Sequence, residues 1–577
     1  MKKTILNLLL MAAFSLNMSA QITETATEAV KNMGLGWNLG NTMDANNASV
    51  KDPANDNYWN CQGLESETCW GQPVTDEALI KMMKGAGFGA IRVPVTWYNH
   101  MDKDGNVTEE WMARVHEVVD YVIGNGMYCI INVHHDTGAD SDSHIHWIKA
   151  DADNYSANQA RYEKLWTQIA EEFKDYDGHL LFEAYNEMLD TKSSWCFASF
   201  NTSNKYDATI AESAYEGINS YAQSFVNAVR ATGGNNVTRN IIVNTYAAAN
   251  GYGSWNSHLT DPLTKMQMPE DQTEGHIIFE VHDYPNMTNN GTNRTISDIQ
   301  KQVDATISGL KTYLPQGAPV IIGEWGTSNV DAGDGKTDYD VRRDLMLQFV
   351  DYYVKACKEN GIATFYWMGL SDGYYRSMTA FNQPDLAETM AKAYHGDDFE
   401  GEYPAVEEME EVVVFEGDKL ISNWSVQTSI AANMFKDMGE GTQVEITYRQ
   451  ETGGDDIQFY YGDWSSKPSF TVEGTTYSGD FNPQGYYGTP VGTEHTTLFS
   501  FDDATYEKLC SKGLIVFGDG WSMLRLALVN GTAGISDVTL PANGDDACYN
   551  LAGQRISTPQ KGIFIKNGRK IIIGNEL

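Results

Sequence analysis

The stretch LLFEAYNE, residues 180–187, joins a short apolar run to a polar pair, Asn186 and Glu187. Seven other apolar runs of this form lie along residues 33–395, with helical patterns between them. The predicted strands are Leu35–Asn38, Ala90–Pro94, Tyr128–Val133, Leu180–Tyr185, Ile241–Thr245, Ile277–Val281, Val320–Gly323 and Ala363–Trp367. Continuous apolar runs of this length are typical of parallel strands that are buried on both faces.

Eight strand–helix units in about 360 residues predict a (β/α)8 barrel. Five of the intervening helical patterns are clear, and four of these five end in glycine, the favoured C-terminal stop. A doubly wound open sheet is the alternative. That fold usually carries GxGxxG after its first strand, whereas GLGWNLGN at 34–41 places Trp37 and Asn38 at this turn.

The composition of the chain changes after Gly396. The acidic stretch 397–411 predicts a linker, and short β patterns over 412–537 predict a smaller all-β sandwich. Trp424, Trp464 and Trp521 are candidates for a carbohydrate-binding face of this sandwich, and packing in its core is the alternative. In residues 538–577, an Asn-Gly pair separates two β-rich runs and predicts a hairpin.

Residues 1–20 have the pattern of a secretory signal, because Lys2 and Lys3 precede an apolar run that ends before Ser19-Ala20. The run is shorter than the ~20 apolar residues of a membrane span, and no later stretch reaches that length. The mature chain is therefore expected to begin at residue 21, with the barrel domain over 21–396. It is expected to be secreted, or exported to the periplasm or cell surface.

The charge of the chain is strongly negative. It has 577 residues, with 78 Asp and Glu against 40 Lys and Arg, which gives a net charge of −38. Such a protein repels phosphate backbones and anionic lipid surfaces, so no nucleic-acid partner is expected. The 14 Trp and 31 Tyr favour uncharged ligands with stackable faces, such as sugars, although core packing accounts for many of these rings.

Polar side chains follow the predicted strands at the end where barrel enzymes carry their chemistry. Glu187 follows the fourth strand, and Glu324, in IIGEWG at 321–326, follows the seventh. These strands lie nearly opposite each other in an eight-stranded barrel, so the two carboxylates are expected to face each other. Glycosidic cleavage needs such a pair, one as proton donor and one as nucleophile or base.

Seven motifs occur in one order over residues 33–395: GWNLGNT, IRVP, NVHHD, FEAYNE, VHDY, IIGEWG and FYW. Together they resemble glycoside hydrolase family 5, a group of retaining (β/α)8 glycosidases that includes many endo-β-1,4-glucanases. The resemblance implies Glu187 as general acid/base and Glu324 as nucleophile. Its implied supporting residues are Arg92, His134, Asn186, His282 and Tyr284. Met188 stands where many relatives have proline.

Arg92 is expected to keep Glu324 ionised, Tyr284 to hydrogen-bond the same carboxylate, and Asn186 to bind the sugar 2-hydroxyl. Substrate contacts are expected from Asn38, Trp70, His135 and Trp367. Long loops that carry Trp59, Trp70, Trp147 and Trp195 predict an open cleft for a polymer, with Trp70 as the strongest candidate for stacking.

The stretch HHDTGADSDSHIH, residues 134–146, offers an alternative, a metal site. Its spacing matches no helical HExxH pattern, and two-carboxylate cleavage requires no metal or cofactor, so neither is predicted. An acidic loop of this kind also suits Ca²⁺. The simpler interpretation is that His134 lines the catalytic pocket, His135 contacts substrate and the rest is a solvated loop.

The sequence therefore predicts a secreted retaining endo-β-1,4-glucanase whose partner is a β-glucan polysaccharide. Xyloglucan, mixed-linkage glucan and mannan are the alternative substrates, and a non-catalytic carbohydrate-binding barrel is the alternative of another class. The terminal unit also resembles the C-terminal sorting domains of secreted Bacteroidetes proteins, and a hairpin that completes a sheet is its alternative. Cys61 and Cys69 flank a short loop and are near enough to bond in an oxidising compartment.

Overall fold

The structure of the chain is a computed structural model. It describes residues 22–47, 61–139, 146–200, 205–315, 317–330, 336–405, 411–439, 441–452, 456–472, 474–483 and 490–530, and the backbone of four short strands between 548 and 573. These residues form two compact units that divide at Ala405. The predicted signal 1–20, Trp59 and residues 140–145 of the histidine-rich stretch lie outside the described residues.

The first unit is a closed barrel of eight parallel strands, as predicted. The strands are β1 (Leu35–Asn38), β2 (Ala90–Val93), β3 (Tyr128–Asn132), β4 (Leu180–Glu183), β5 (Ile241–Asn244), β6 (Ile277–Asp283), β7 (Val320–Trp325) and β8 (Ala363–Tyr366). Each end agrees with the sequence prediction to within two residues. Hydrogen bonds between β1 and both β2 and β8 close the barrel.

Helices cover the outside of the barrel and one end. They are α1 (Ala26–Met33), α2 (Glu77–Gly85), α3 (Glu109–Gly124), α4 (Ala152–Glu172), α5 (Ala208–Ala231), α6 (Ile296–Tyr313), α7 (Asp338–Glu359) and α8 (Pro384–His395). Asp76, Asp151 and Asp207 begin three of them, because each side chain accepts a backbone N–H of the first turn. The connection after β5 holds the single-turn helix Asp261–Thr264.

The interior of the barrel has two layers, since every second residue of a strand points inward. The lower layer is apolar and packs against Ala26, Ala29, Val30 and Met33 of α1. It consists of Ala90, Ile130, Leu181, Ile242, Ile278, Ile321, Ala363 and Phe365 with neighbouring side chains. Two residues further along five of the strands, the buried residue is polar: Arg92, Asn132, Glu183, Asn244 and Glu280. We call these five residues the polar layer.

The pairing of β6 with β7 is irregular at one residue. Val281 pairs with Ile322 and His282 pairs with Glu324, so Gly323 has no opposite residue and forms a β-bulge. Bulges of this kind bend a strand and change the direction of the side chain that follows. Glu324 directly follows Gly323, so the direction of the Glu324 side chain depends on this bulge.

Half of the predicted linker 397–411 packs against the barrel instead. The backbone N–H of Glu402 donates to Gly85 O, and Phe381 N–H donates to Pro404 O. Phe399 stacks on His395 of α8 with ring centroids 4.4 Å apart. The acidic composition predicted a linker, and the aromatic residues and Pro404 within it supply contacts with the barrel.

The second unit contains antiparallel sheets, as predicted. Its strands are β9 (Glu411–Ile421), β10 (Thr428–Ile430), β11 (Thr442–Gln450), β12 (Asp456–Tyr461), β13 (Ser469–Val472), β14 (Thr475–Ser478), β15 (Asp480–Phe481), β16 (Glu494–Phe499), β17 (Leu514–Asp519), β18 (Trp521–Asn530), β19 (Cys548–Asn550), β20 (Arg555–Ile556), β21 (Gly562–Lys566) and β22 (Arg569–Ile573). Two helices, α9 (Ala432–Met438) and α10 (Asp503–Lys512), accompany them.

Two of these sheets face each other, because Phe459 of β12 packs on Phe499 of β16 at 4.9 Å. The larger sheet has the order β16-β11-β18-β9-β22-β21-β19-β20, and the smaller has the order β10-β17-β12-β15. The terminal hairpin β21–β22 extends the larger sheet beside β9. Among the described residues, no helix combines the length and apolar composition that crossing a membrane requires.

Candidate active site

Glu187 and Glu324 meet above the polar layer, at the carboxyl ends of the strands. A carboxylate oxygen of each glutamate and a ring nitrogen of His282 all lie within 4.8 Å of one another. Glu187 follows β4, Glu324 belongs to β7, and β5 and β6 lie between these strands in the barrel. The two carboxylates predicted from strand ends therefore share one site.

Two side chains donate hydrogen bonds to the carboxylate of Glu324. Arg92 Nη1 donates to Oε1 at 2.8 Å, and the Tyr284 hydroxyl donates to Oε2 at 2.7 Å. Both contacts agree with the sequence prediction. His134 Nε2 lies 3.9 Å from Oε1, and burial, followed by the charges of His135, Arg92 and His282, holds the pKa of His134 well below its usual range. His134 is therefore neutral at ordinary pH.

His282 is the partner of Glu187. Its Nδ1 lies 2.9 Å from Glu187 Oε1 and 3.5 Å from Glu324 Oε2, while Nε2 lies 3.4 Å from Glu280 Oε1. Burial alone would lower the pKa of His282, but the charge of Glu324, the hydrogen bond to Glu187 and the nearby Glu280 carboxyl raise it to about 10. The ring is thus an imidazolium that donates to Glu187.

Arg92 connects the polar layer to the site through all of its N–H groups. Nε and Nη2 donate to Glu183 at 2.7 and 2.8 Å, and Nη2 also donates to Asn186 Oδ1 at 2.9 Å. Nη1 reaches Asn38 Oδ1 as well as Glu324. Burial pushes the pKa of Glu183 upward, but the Arg92 charge and hydrogen bonds outweigh it and leave that pKa below its usual range.

The sequence prediction missed Glu183 and Glu280, which are fully buried beneath the site. Asn132 Nδ2 donates to Glu183 at 2.9 Å, and Asn244 Nδ2 does so at 3.3 Å. The sequence did contain a signal for the polar layer. In each of its five strands, a polar residue follows an inward-pointing apolar residue by two positions. Treating the runs as uniformly apolar concealed it.

Asn38, predicted to bind substrate, does not reach the cleft. It is fully buried, and its Nδ2 donates to the carbonyl oxygens of Gly323 and Phe365 at 2.9 and 3.0 Å. Its Oδ1 accepts from Arg92. The last residue of β1 points into the barrel, so Asn38 orients Arg92 and the Gly323 bulge.

The aromatic residues predicted to contact substrate lie around the cleft. Trp367 is parallel to the His134 ring, with centroids 6.2 Å apart, and both line the cleft. The half-buried Trp70 lies 5.2 Å from the His135 ring and donates Nε1–H to Asn46 O at 2.8 Å. His135 Nε2 in turn lies 3.5 Å from the buried Asp44 Oδ2.

The predicted solvated loop after His135 is buried at Asp136 and Thr137 and half-buried at Gly138 and Ala139. Asp136 is fully buried, accepts Trp97 N–H at 2.9 Å and accepts Trp147 Nε1–H at 2.6 Å. Trp147 is consequently an anchor of the loop with 7% exposure, whereas Trp195 is 47% exposed. Cys69 is a free thiol, so the suggested Cys61–Cys69 bond is not formed.

The cleft at this site has a volume of about 430 Å³ and is open on one side. Glu187, Asn186, Tyr284, Glu324 and the segment 327–330 line it together with the rings named above. A larger groove of about 1050 Å³ runs along α5 and residues 265–272, on the outside of the barrel. The smaller cleft is the one in which polar groups from several strands converge.

Two groups of described side chains have the spacing of metal ligands: Asp44 with His134 and His135, and Glu187 with His282 and Glu324. In the second group, His282 Nδ1 lies at hydrogen-bond distance, 2.9 Å, from Glu187 Oε1. Hydrogen bonding accounts for this cluster.

Comparison with known proteins identifies the class to which the fold and site belong. Residues 43–372, more than half of the chain, match the family described as Cellulase (glycosyl hydrolase family 5). The chain belongs to glycosyl hydrolase family 5.

Individual relatives are similar over the barrel. A solved structure described as a GH5-4 broad specificity endoglucanase from an uncultured bacterium is 61% identical, covers 67% of this chain and 99% of its own, and has a TM-score of 0.62. A family 5 enzyme from Prevotella bryantii B14, solved in complex with a xyloglucan tetradecasaccharide, is 40% identical over 65% of this chain and 100% of its own, with a TM-score of 0.53.

A curated relative, Endoglucanase A of Clostridium longisporum, is 34% identical over 362 residues. The match covers 61% of this chain and 61% of that relative. The chain thus spans about three fifths of the length of this relative.

Proposed function

We propose that the protein is a retaining endo-β-1,4-glucanase that cleaves internal bonds of a β-glucan with Glu324 as nucleophile and Glu187 as general acid/base. The observation that carries the proposal is the close approach of the two glutamates, because one carboxylate oxygen of Glu187 lies within 4.8 Å of one of Glu324. Retaining glycosidases hold their carboxyl groups about 5–5.5 Å apart, whereas inverting enzymes leave about 6.5–9.5 Å for a water molecule.

In the first step, Glu324 attacks the anomeric carbon while protonated Glu187 gives its proton to the departing glycosidic oxygen. The C–O bond to the leaving sugar breaks, and an ester bond to Glu324 forms. Arg92 and Tyr284 hold the two oxygens of Glu324 through hydrogen bonds, so the attacking group is fixed before substrate enters.

In the second step, Glu187 takes a proton from water, which attacks the anomeric carbon and releases Glu324. Esterification has by then removed the negative charge of Glu324, and His282 Nδ1, 2.9 Å from Glu187 Oε1, keeps that carboxyl group in place. The same residue can therefore serve as acid and then as base. Asn186, whose Oδ1 is engaged by Arg92, retains Nδ2 as a donor for the sugar 2-hydroxyl.

The glucan preference is supported by the relatives, which are named for endoglucanase activity or were solved with a xyloglucan oligosaccharide. Reducing-end release from carboxymethylcellulose, barley β-glucan, xyloglucan and glucomannan tests it, with Glu324→Ala alongside. We expect release from at least one glucan and a loss of several orders of magnitude in the variant. Binding without release from any of the four polymers would favour the non-catalytic alternative instead.

Retention is tested separately by following the anomeric signal of the first product by proton NMR. A β-configured first product supports the two-step mechanism. An α-configured product would require an inverting mechanism, in which Glu324 activates water directly.

The second unit is proposed to hold polysaccharide on its smaller sheet. Trp424 and Trp464 are 48% and 47% exposed, and both rings pack on Phe517, at 6.0 and 5.4 Å between centroids. Trp521, the third candidate, is fully buried and belongs to the core. In affinity electrophoresis on a Glu324→Ala background, Trp424→Ala with Trp464→Ala should weaken retention by glucan. The exposed Leu420→Ala is the control from the same unit.

Export is proposed from the pattern of residues 1–20. N-terminal sequencing of the protein recovered outside the cytoplasm tests it. A mature chain that begins at or near Gln21 is expected, and a cytoplasmic full-length chain would contradict it.

A further inference from the structure

Glu280 is a buried carboxyl group beneath the site that takes no part in the chemistry above. It lies on β6, two residues before His282, and is fully buried. Its Oε1 is 3.4 Å from Arg92 Nε and 3.4 Å from His282 Nε2. Among the described residues, neither of its oxygens has a partner at hydrogen-bond geometry. A buried carboxyl with such loose contacts calls for an explanation.

Three charged or titratable groups from three strands surround Glu280: Arg92 on β2, Glu183 on β4 and His282 on β6. Glu183 accepts two hydrogen bonds from Arg92, so the contact of Arg92 Nε with Glu280 is longer, at 3.4 Å. Burial, and then the charge of Glu183, raise the pKa of Glu280 to about 8. The carboxyl is consequently neutral over the acid and neutral range and becomes charged above it.

The space for Glu280 exists because residue 323 is glycine. A β-carbon at Gly323 would lie 1.6 Å from Glu280 Oε1 and 2.3 Å from its carboxyl carbon. Gly323 is also the bulged residue of β7, and Glu324 follows it directly. The Glu280 side chain therefore fills the position at which a side chain of β7 would otherwise lie.

We infer that Glu280 is a positioning residue, which fills the Gly323 bulge that directs Glu324 and holds the His282 ring against Glu187. The inference rests on the proposed roles of Glu187 and Glu324. Glu280 reaches neither cleft nor substrate and acts through its two neighbours.

The charge of Glu280 is tested by Glu280→Gln, which keeps the volume and removes the titration. Without this carboxyl, His282 loses a source of its raised pKa, so the imidazolium beside Glu187 loses its proton at lower pH. We expect the pKa of the His282 ring, followed by the NMR signals of its ring protons, to fall by about one pH unit. KM on a soluble glucan oligosaccharide should change less than about twofold.

The matched control is Asp283→Asn. Asp283 directly follows His282 on the same strand and is also buried. Its carboxylate accepts hydrogen bonds from Asn250 and Tyr353 and not from His282. Its variant should keep the wild-type pKa of His282. An unmoved His282 pKa in Glu280→Gln, or an equal shift in both variants, would overturn the role assigned to Glu280.

The shape of Glu280 is tested through its coupling to Gly323. Glu280→Ala should lower kcat about 100-fold with little change in KM, because a displacement near 1 Å of Glu324 is enough for such a loss. Gly323→Ala should lower the thermal midpoint strongly, and combining it with Glu280→Ala should recover most of that loss. This recovery is measured by unfolding alone, so it is independent of whether the protein cleaves glucan. Additive effects of the two substitutions would contradict the inference.

Discussion

Arg92 is a single buried cation that serves two carboxylates and two amides at once. Its planar fork donates to Glu183, Glu324, Asn38 and Asn186 from fixed directions. A lysine ammonium carries the same charge but has three donors on one atom and cannot reproduce this geometry. The orientation of Glu324 thus depends on the shape of the Arg92 side chain as well as on its charge.

Arg92→Lys is therefore expected to lower kcat/KM by at least about 100-fold, the usual effect of losing one preorganised donor in an active site. It should also reduce stability by about 3 kcal/mol, since it leaves buried carboxylates poorly paired. Steady-state kinetics on barley β-glucan and urea unfolding measure the two effects. Arg343→Lys, at an exposed pair with Asp385, is the control and should change both by little. Wild-type kinetics in Arg92→Lys would contradict the argument.

The sequence could predict the residues at the rim of the barrel but not those below it. Arg92, Tyr284 and Glu324 follow from the rule that chemistry lies at the carboxyl ends of strands. Asn38 also lies at the carboxyl end of a strand, but its side chain points into the barrel. The direction of a strand residue depends on the alternation of inward and outward side chains. Glu280 was hidden in the run IIFEV for the same reason.

At the scale of elements, α1 closes the lower end of the barrel. Thr25 starts this helix with a capping box to Glu28, and the face with Ala26, Ala29, Val30 and Met33 covers the apolar layer. The sequence pattern of the strands does not predict that α1 covers the apolar layer, because that layer exists only in the closed barrel. The Gly323 bulge escaped prediction similarly, since register is a property of two strands.

Met33→Ala is expected to reduce the stability of the barrel by about 2–5 kcal/mol, the range for truncating a fully buried methionine. Activity well below the unfolding transition should stay the same, because the proposed catalytic residues lie at the opposite end of the strands. Urea unfolding followed by tryptophan fluorescence measures the loss, and the exposed Lys31→Ala on the same helix is the control. A large fall in kcat for Met33→Ala would show that the two ends of the barrel are coupled.

At the scale of the whole molecule, several buried groups make the folded protein more stable at lower pH. Burial raises the pKa of Asp136 and of Asp283 to about 6, burial and Glu183 raise that of Glu280 to about 8, and the surrounding carboxylates raise that of His282 to about 10. A group whose folded pKa is raised contributes stability that is lost as pH increases through that value. The net charge of −38 acts in the same direction, because self-repulsion grows as protons leave.

Two buried histidines oppose this gain in stability at acid pH. Burial lowers the pKa of His100 to about 3 and also depresses that of His134, so their stabilisation is lost as pH falls below about 6.5. The thermal midpoint of the barrel should therefore rise as pH falls from 9 to 6.5 and level off below. Calorimetry at constant ionic strength measures it. Glu280 accounts for up to about 2 kcal/mol between pH 6.5 and 8, so Glu280→Gln should flatten the curve there, whereas a slope identical to wild type would contradict a buried, neutral Glu280.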